Sequence, residues 1–297
     1  MLDSLLSGQL LFAALVIGSV YAMIGLGLNL VYGTMRLLNI AHGDLMMLGA
    51  YASFWLLTIA GISPLVSLAI AALGGAGIGA AAYHGLFRRQ IETAGPVEKL
   101  EANSLLLFFG LSVIVQNVAA LFFTASPRAV SYLDHVYRIG ELSMTANRLL
   151  TLGIALMLCV ATVLFLRFNI YGLAIKALIQ NRDAAKIVGV KVERVQLLSF
   201  MLGFGVAGLA GVLLSMTEQI SPFMGFPFTI AAFIVIIMGG LGNLTGGIIA
   251  GFLLGFIEIY GVVLTSQNAR SILLYGVFVA ILLLRPQGLF GGRRVVR

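Results

Sequence analysis

Eight polar residues lie inside stretches that are otherwise apolar: Asn29, Asn39, His42, Asp44, Gln116, Asn117, Asn243 and Glu258. Their types suit a gate or polar lining for a small solute, a proton relay, or a self-satisfied polar knot. Three of them fall in the run Asn39-Ile40-Ala41-His42-Gly43-Asp44, with turn-marking glycines at Gly33 and Gly43. Covalent catalysis lacks its parts. The other histidines, His84 and His135, are far away in sequence, and there is no His-Glu-x-x-His pattern and no serine nucleophile elbow. Cys159 is the only cysteine, so neither a disulfide framework nor a cysteine metal site is expected. The chain also lacks a Gly-x-x-x-x-Gly-Lys-Ser/Thr loop, so any ATP chemistry belongs to another subunit. It reads as a non-enzyme with no catalytic, metal or cofactor residues of its own.

The elements that position these residues must be membrane helices. Only 10 % of residues are charged and 60 % are hydrophobic, whereas a soluble domain carries about 25 % charge to face water. Stretches 4–35, 45–87, 102–127, 149–166, 195–217, 219–257 and 271–284 contain no Asp, Glu, Lys or Arg. A spanning helix needs about 20 apolar residues, so two of these stretches hold two spans each. One breaks at Gly61-Ile62-Ser63-Pro64 and the other near Gly239-Gly240-Leu241-Gly242-Asn243. The reading is an all-α, polytopic bundle of eight to ten membrane segments, some broken or re-entrant, forming one domain over 1–297. The N-terminus has no basic n-region and no small-residue cleavage site, so its first apolar stretch is expected to be a retained span.

Spans are expected near 8–32, 44–60, 64–87, 103–124, 148–167, 196–217, 228–263 (as two segments) and 270–285. Basic residues orient such a path, because cytoplasmic loops retain them. Loop 169–194 carries Lys176, Arg182, Lys186, Lys191 and Arg194, and the C-terminal tail carries Arg285, Arg293, Arg294 and Arg297. With these ends inside, 14 of the 18 basic residues are cytoplasmic, and only Arg128, Arg138, Arg148 and Arg270 are outside. The C-terminus is then cytoplasmic. Small residues four apart, such as Gly75 and Gly79 or Gly247, Gly251 and Gly255, allow close helix packing in lipid. An acidic residue at a helix centre costs about 3 kcal/mol on insertion scales, so Asp44 must face protein or a water-filled cavity. Glu258 is open to either a path or an interfacial position, since Tyr260 and Gln267 follow it.

Loop 169–194 has helical texture. Leu173, Ala177 and Leu178 recur at helical spacing, as do Ala184, Ala185, Ile187 and Val188, and Gly189 ends the pattern as a C-cap would. A short amphipathic helix across the inner face suits either a partner's groove or lipid headgroups.

Within that loop, Asp183-Ala184-Ala185-Lys186-Ile187-Val188-Gly189 resembles the Glu-Ala-Ala-x-x-x-Gly coupling loop of ABC importer permeases, with Asp in place of Glu. Tyr21 to Ala52 resembles the N-terminal signature of the branched-chain amino acid permease family, and Asn39 to Asp44 matches its Asn-x-Ala-His-Gly-acid run. Met238 to Gly251 and Leu283 to Gly291 resemble the family's closing motifs, so the likeness covers essentially the whole chain.

That resemblance implies the fold of sugar and vitamin permeases of ABC importers, in the inner membrane. It implies a second homologous permease, two cytoplasmic ATPase subunits holding ATP and magnesium, and a periplasmic binding protein. Coupling to the ATPase would fall to Lys176, Asn181, Arg182, Asp183, Ala184, Ala185 and Gly189. The path or gate would fall to Asn29, Asn39, His42, Asp44, Asn117 and Glu258. Branched-chain or related amino acids are the expected cargo, with urea or short amides as the alternative. A self-sufficient proton-coupled transporter or channel, with His42, Asp44 and Glu258 as relay, is the alternative from another class.

Overall fold

The computed structural model describes residues 7–93, 97–124, 126–140 and 142–291; Arg293, Arg294 and Arg297 lie outside these. The helices, in order, are α1 (Gly8–Met35), α2 (His42–Ala60), α3 (Pro64–Ala82), α4 (Val97–Phe123), α5 (Ala146–Phe168), α6 (Ile170–Gln180), α7 (Arg182–Ile187), α8 (Val192–Ser215), α9 (Gly225–Gly239), α10 (Leu244–Leu264) and α11 (Arg270–Leu284). A π-helical turn at Tyr83–Phe87 continues α3 into Arg88–Thr93. Eight helices among the described residues are long and apolar enough to span a bilayer. The shorter apolar α9 lies between α8 and α10 in the chain. The expected spans are all present.

α1 and α8 form the centre, and α2 and α3 pack along α8. Small residues make this possible. Gly203 of α8 rests on the backbone of Gly27 in α1, and Gly211 rests on the backbone of α2 at Met46. Gly251 and Gly255 of α10 seat against Ala22 and Gly18 of α1, where added carbons would overlap the backbone. Between lipid-facing helices there is no hydrophobic drive, so this intimate contact supplies dispersion energy instead. Phe87, Phe108, Phe200 and Phe204 stack across α3, α4 and α8, with the Phe87 and Phe108 ring centres 4.3 Å apart.

The segment 125–147 contains a small antiparallel hairpin, β1 (Val136–Ile139) with β2 (Leu142–Thr145), that the all-α reading did not include. Its short alternating strands lie at the N-terminal end of α1, where the Ser143 amide donates to Gln9. At the opposite end, Arg36, Arg167 and Lys176 line one cavity, and Arg88, Arg182, Lys186, Lys191 and Arg194 line a neighbouring cleft. These eight basic residues thus share one end of the bundle.

Loop 169–194 differs in detail from the single short helix expected of it. It forms two helices, α6 and α7, hinged at Asn181, whose side chain accepts from the Asp183 and Ala184 amides and caps α7. Gly172 lies within α6, against the Phe165–Leu166 backbone of α5.

Candidate functional site

α2 begins inside the bundle. After α1 ends at Arg36 in a left-handed cap, residues 37–41 climb back between the helices. Irregular backbone at that depth must be satisfied by protein, and Ser104 of α4 does this by accepting from the Leu38 amide at 3.1 Å. His42 then opens α2 beside the middle turns of α1, with its Nε2 3.1 Å from the Ile24 carbonyl oxygen. A carbonyl only accepts, so Nε2 carries the proton.

α9 also begins in the interior, and its N-terminus meets that of α2. Gly43 and Gly225 touch backbone to backbone, leaving no space for a Cβ on either. Thr229 ties the crossing. Its hydroxyl accepts from the Gly43 amide at 2.8 Å and donates to the Ile40 carbonyl at 3.0 Å. Asp44 sits in the first turn of α2 and beside the start of α9, where both helix dipoles favour a negative group. Gln116 of α4 donates to Asp44 Oδ1 at 2.9 Å and also reaches Ser112 at 3.1 Å.

The cluster is buried and incompletely satisfied. Asn39, His42 and Asp44 are at most 1 % exposed. Among the described residues, both polar atoms of the Asn39 side chain, His42 Nδ1 and Asp44 Oδ2 have no hydrogen-bond partner. Buried polar atoms normally find partners, so these four can bind water or a polar solute. His42 and Asp44 do not bond to each other; each is held by a different helix. Gln116, singled out as polar but not assigned to the path, belongs to this node, and so does Thr229, which no sequence signal distinguished.

The remaining candidates are elsewhere. Asn29 is fully buried and grips the α9–α10 turn, accepting from the Gly242 amide at 2.9 Å and donating to the Asn243 carbonyl at 3.0 Å. Asn117 lies on the exposed side of α4 and donates to Val113, outside the node. Glu258 is 2 % exposed and paired. It accepts from the Tyr21 hydroxyl, and its Oε1 is 2.6 Å from Arg270 Nε. This triad links α1, α10 and α11. Among the described residues no hydrogen bond joins it to His42 or Asp44.

Removing Arg270 strands a buried carboxylate. Breaking a fully buried pair costs about 3–5 kcal/mol, and Arg270 is 38 % exposed, so Arg270→Ala should cost about 2 kcal/mol. Thermal unfolding in detergent should show a clear loss of stability, largely recovered in the Glu258→Gln/Arg270→Gln pair. Equal losses in the single and double variants would rule out this account.

At the basic face, α7 presents its C-terminal end to solvent. Ile187 and Val188 are 86 % and 77 % exposed, while Ala185 is buried against the bundle. Gly189 follows at φ +88°, with its amide bonded to Lys186 and the Val190 amide bonded to Ala185. Lys176 and Asn181 stand on and after α6; Arg182, Asp183 and Ala184 form the first turn of α7. A cleft of about 720 Å³ beside α7 is lined by Arg88, Asp183, Lys186 and Glu193, with Arg88 and Glu193 paired at 3.1 Å. Adjacent exposed aliphatics rimmed by charge suit either a protein groove or lipid headgroups.

Fold and site together are those of a multi-pass helical membrane permease: a bundle crossed by broken helices, with a buried polar node and a short exposed helix at its basic face. The chain belongs to the family described as "Branched-chain amino acid transport system / permease component", whose profile matches residues 10–282. It is similar to the high-affinity branched-chain amino acid transport system permease protein LivH of Escherichia coli (strain K12), 29 % identical over 95 % of each chain. It is similar to BraD of Pseudomonas aeruginosa, 28 % identical over 95 % of each chain. It also resembles the LivM permease of the same E. coli strain, 27 % identical over 91 % of this chain and 67 % of that protein. No solved structure matches the chain.

Proposed function

We propose that this chain is a permease subunit of an ATP-driven importer of branched-chain amino acids in the bacterial inner membrane. The observation that carries the reading is α7, with Ile187 and Val188 exposed on a capped, charge-rimmed helix at the basic face. A partner's cleft would cover those aliphatic side chains. The partner is an ATPase subunit, since no phosphate-binding loop occurs in this sequence. The relatives' names supply the substrate class, and the likeness to both LivH and LivM supports pairing with a second, homologous permease. Two ATPase subunits carrying ATP and magnesium and a periplasmic binding protein complete the assembly. The face bearing α6, α7 and the C-terminal segment is cytoplasmic by the positive-inside rule.

In this mechanism closure of the ATPase pair pushes α7 and shifts the bundle between its outward- and inward-open forms. Lys176, Asn181, Arg182, Asp183, Ala184, Ala185 and Gly189 make up or position the coupling element. Asn39, His42 and Asp44 offer polar atoms along the path, and Asn29 holds the turn at its inner end.

The test is uptake of radiolabelled leucine into proteoliposomes. Uptake should require ATP, the ATPase subunits and the binding protein. Uptake by the chain alone, driven by a proton gradient, refutes the proposal in favour of a secondary transporter; competition by urea or acetamide instead of isoleucine would reassign the cargo. Asp44→Ala should slow leucine uptake about tenfold, the effect of about 1.4 kcal/mol, while the complex still assembles. Collapse of assembly would mean that Asp44 serves only to hold the two helix starts together.

A further inference from the structure

The wedge made by one side chain, Ile179, accounts for how motion at the docking helix reaches the interior. Ile179 is near the end of α6, two residues before Asn181. Its side chain lies against both the inner end of α1 at Gly33 and the α9–α10 turn at Gly242, which also approach each other directly. A carbon added to Gly33 would lie 3.2 Å from its Cδ1 and Cγ1, and one added to Gly242 would lie 3.0 Å from its Cγ2. Both glycines present backbone to it, and it also packs against the apolar cluster of Leu26, Leu30 and Leu244 and borders the inner cavity. Gly242 has φ +85°, and Asn29 grips it and the next residue by two hydrogen bonds. The turn is further tied to the C-terminal segment, for Asn243 donates to the Phe290 carbonyl at 2.8 Å.

We propose that Ile179 is a positioning residue that transmits movement of α6 and α7 to the Gly242–Asn243 turn at the inner mouth of the bundle. This inference rests on the proposed function. A β-branched side chain has one strongly preferred rotamer in a helix and behaves as a stiff spacer. Close-packed interiors transmit displacement rather than absorb it. α6 and α7 are tied at their junction, where Asn181 caps α7, and Ala185 of α7 packs in one cluster with Leu178 of α6 and Leu244 of α10. The turn in question lines a cavity of about 1280 Å³ with Tyr32, Arg36, Glu101 and Lys176. Its movement therefore changes the shape of the inner vestibule.

The decisive measurement is leucine transported per ATP hydrolysed by the complete reconstituted complex. Ile179→Ala removes the wedge, and coupling should fall about tenfold, within the range found for residues along coupling networks. Assembly and binding-protein-stimulated ATPase activity should persist. Ile179→Val keeps Cγ1 and Cγ2 against both glycines and should retain near wild-type coupling. An unchanged ratio in Ile179→Ala overturns the relay. So does loss of assembly in Ile179→Ala accompanied by an equal loss in Ile179→Val, since the side chain then serves folding alone. A wild-type complex whose uptake ignores ATP refutes the proposed function itself, and that outcome is seen before any variant is compared.

Discussion

Gly189→Val should uncouple ATP hydrolysis from uptake. Gly189 sits at φ +88° with no atom within 4 Å of where a Cβ would stand, so crowding is not the issue. The cost is backbone strain. A left-handed conformation costs an ordinary residue about 1–2 kcal/mol, and a β-branched residue is a marked outlier there. Valine escapes by adopting negative φ, which breaks the Val190–Ala185 hydrogen bond and unwinds the end of α7. Ile187 and Val188 then face the wrong way. Uptake should fall about tenfold or more, the factor for about 1.4 kcal/mol, while ATPase activity and binding-protein docking persist. Gly189→Asn supplies the control, because asparagine tolerates the left-handed cap. Normal uptake by Gly189→Val would remove the coupling assignment from this turn.

Gly43→Ala should have the largest effect on folding. The added methyl would occupy the position of the Gly225 carbonyl oxygen and press on the Thr229 hydroxyl. Overpacking usually costs about 1–3 kcal/mol and occasionally more. Here the obstruction is the backbone of a second helix, so the upper end applies. The starts of α2 and α9 must separate, the Gly43–Thr229 bond is lost, and the buried Asp44 carboxylate loses its favourable position. Folded yield and thermal stability in detergent should both drop sharply. A variant that folds and melts like the wild type would mean that the two helices are not locked together at this crossing.

Much of the path through the membrane was legible in the sequence because charge is so expensive in lipid. A stretch such as 45–87, with its break at Gly61–Pro64, has few other interpretations. Less legible was where a helix begins. Asn39 to Asp44 was marked by its polarity, but nothing in it says that α2 starts level with Ile24 of α1 instead of at the surface. Partners far apart in the chain left no trace. Tyr21 and Glu258 are separated by 237 positions, and a buried tyrosine hydroxyl looks like any aromatic in a span. Thr229 was invisible for the same reason: one hydroxyl in an apolar helix carries no periodicity. Asn117 shows the converse, since polarity flags a residue without telling which side of its helix it occupies. The docking segment was seen as one helix because its apolar spacing runs across Asn181; the break is made by a side-chain cap, which spacing cannot reveal.

The last helix, α11, has no buried residue along its length. It is fastened at one end by the Arg270–Glu258 pair and just beyond the other by the Leu289 and Phe290 backbone, bonded to Met238 and Asn243. Its middle lays only one face, Leu274, Val277, Phe278 and Ile281, against the bundle. Exchanges of one lipid-soluble side chain for another on its outer face should therefore be tolerated better than changes at either fastening.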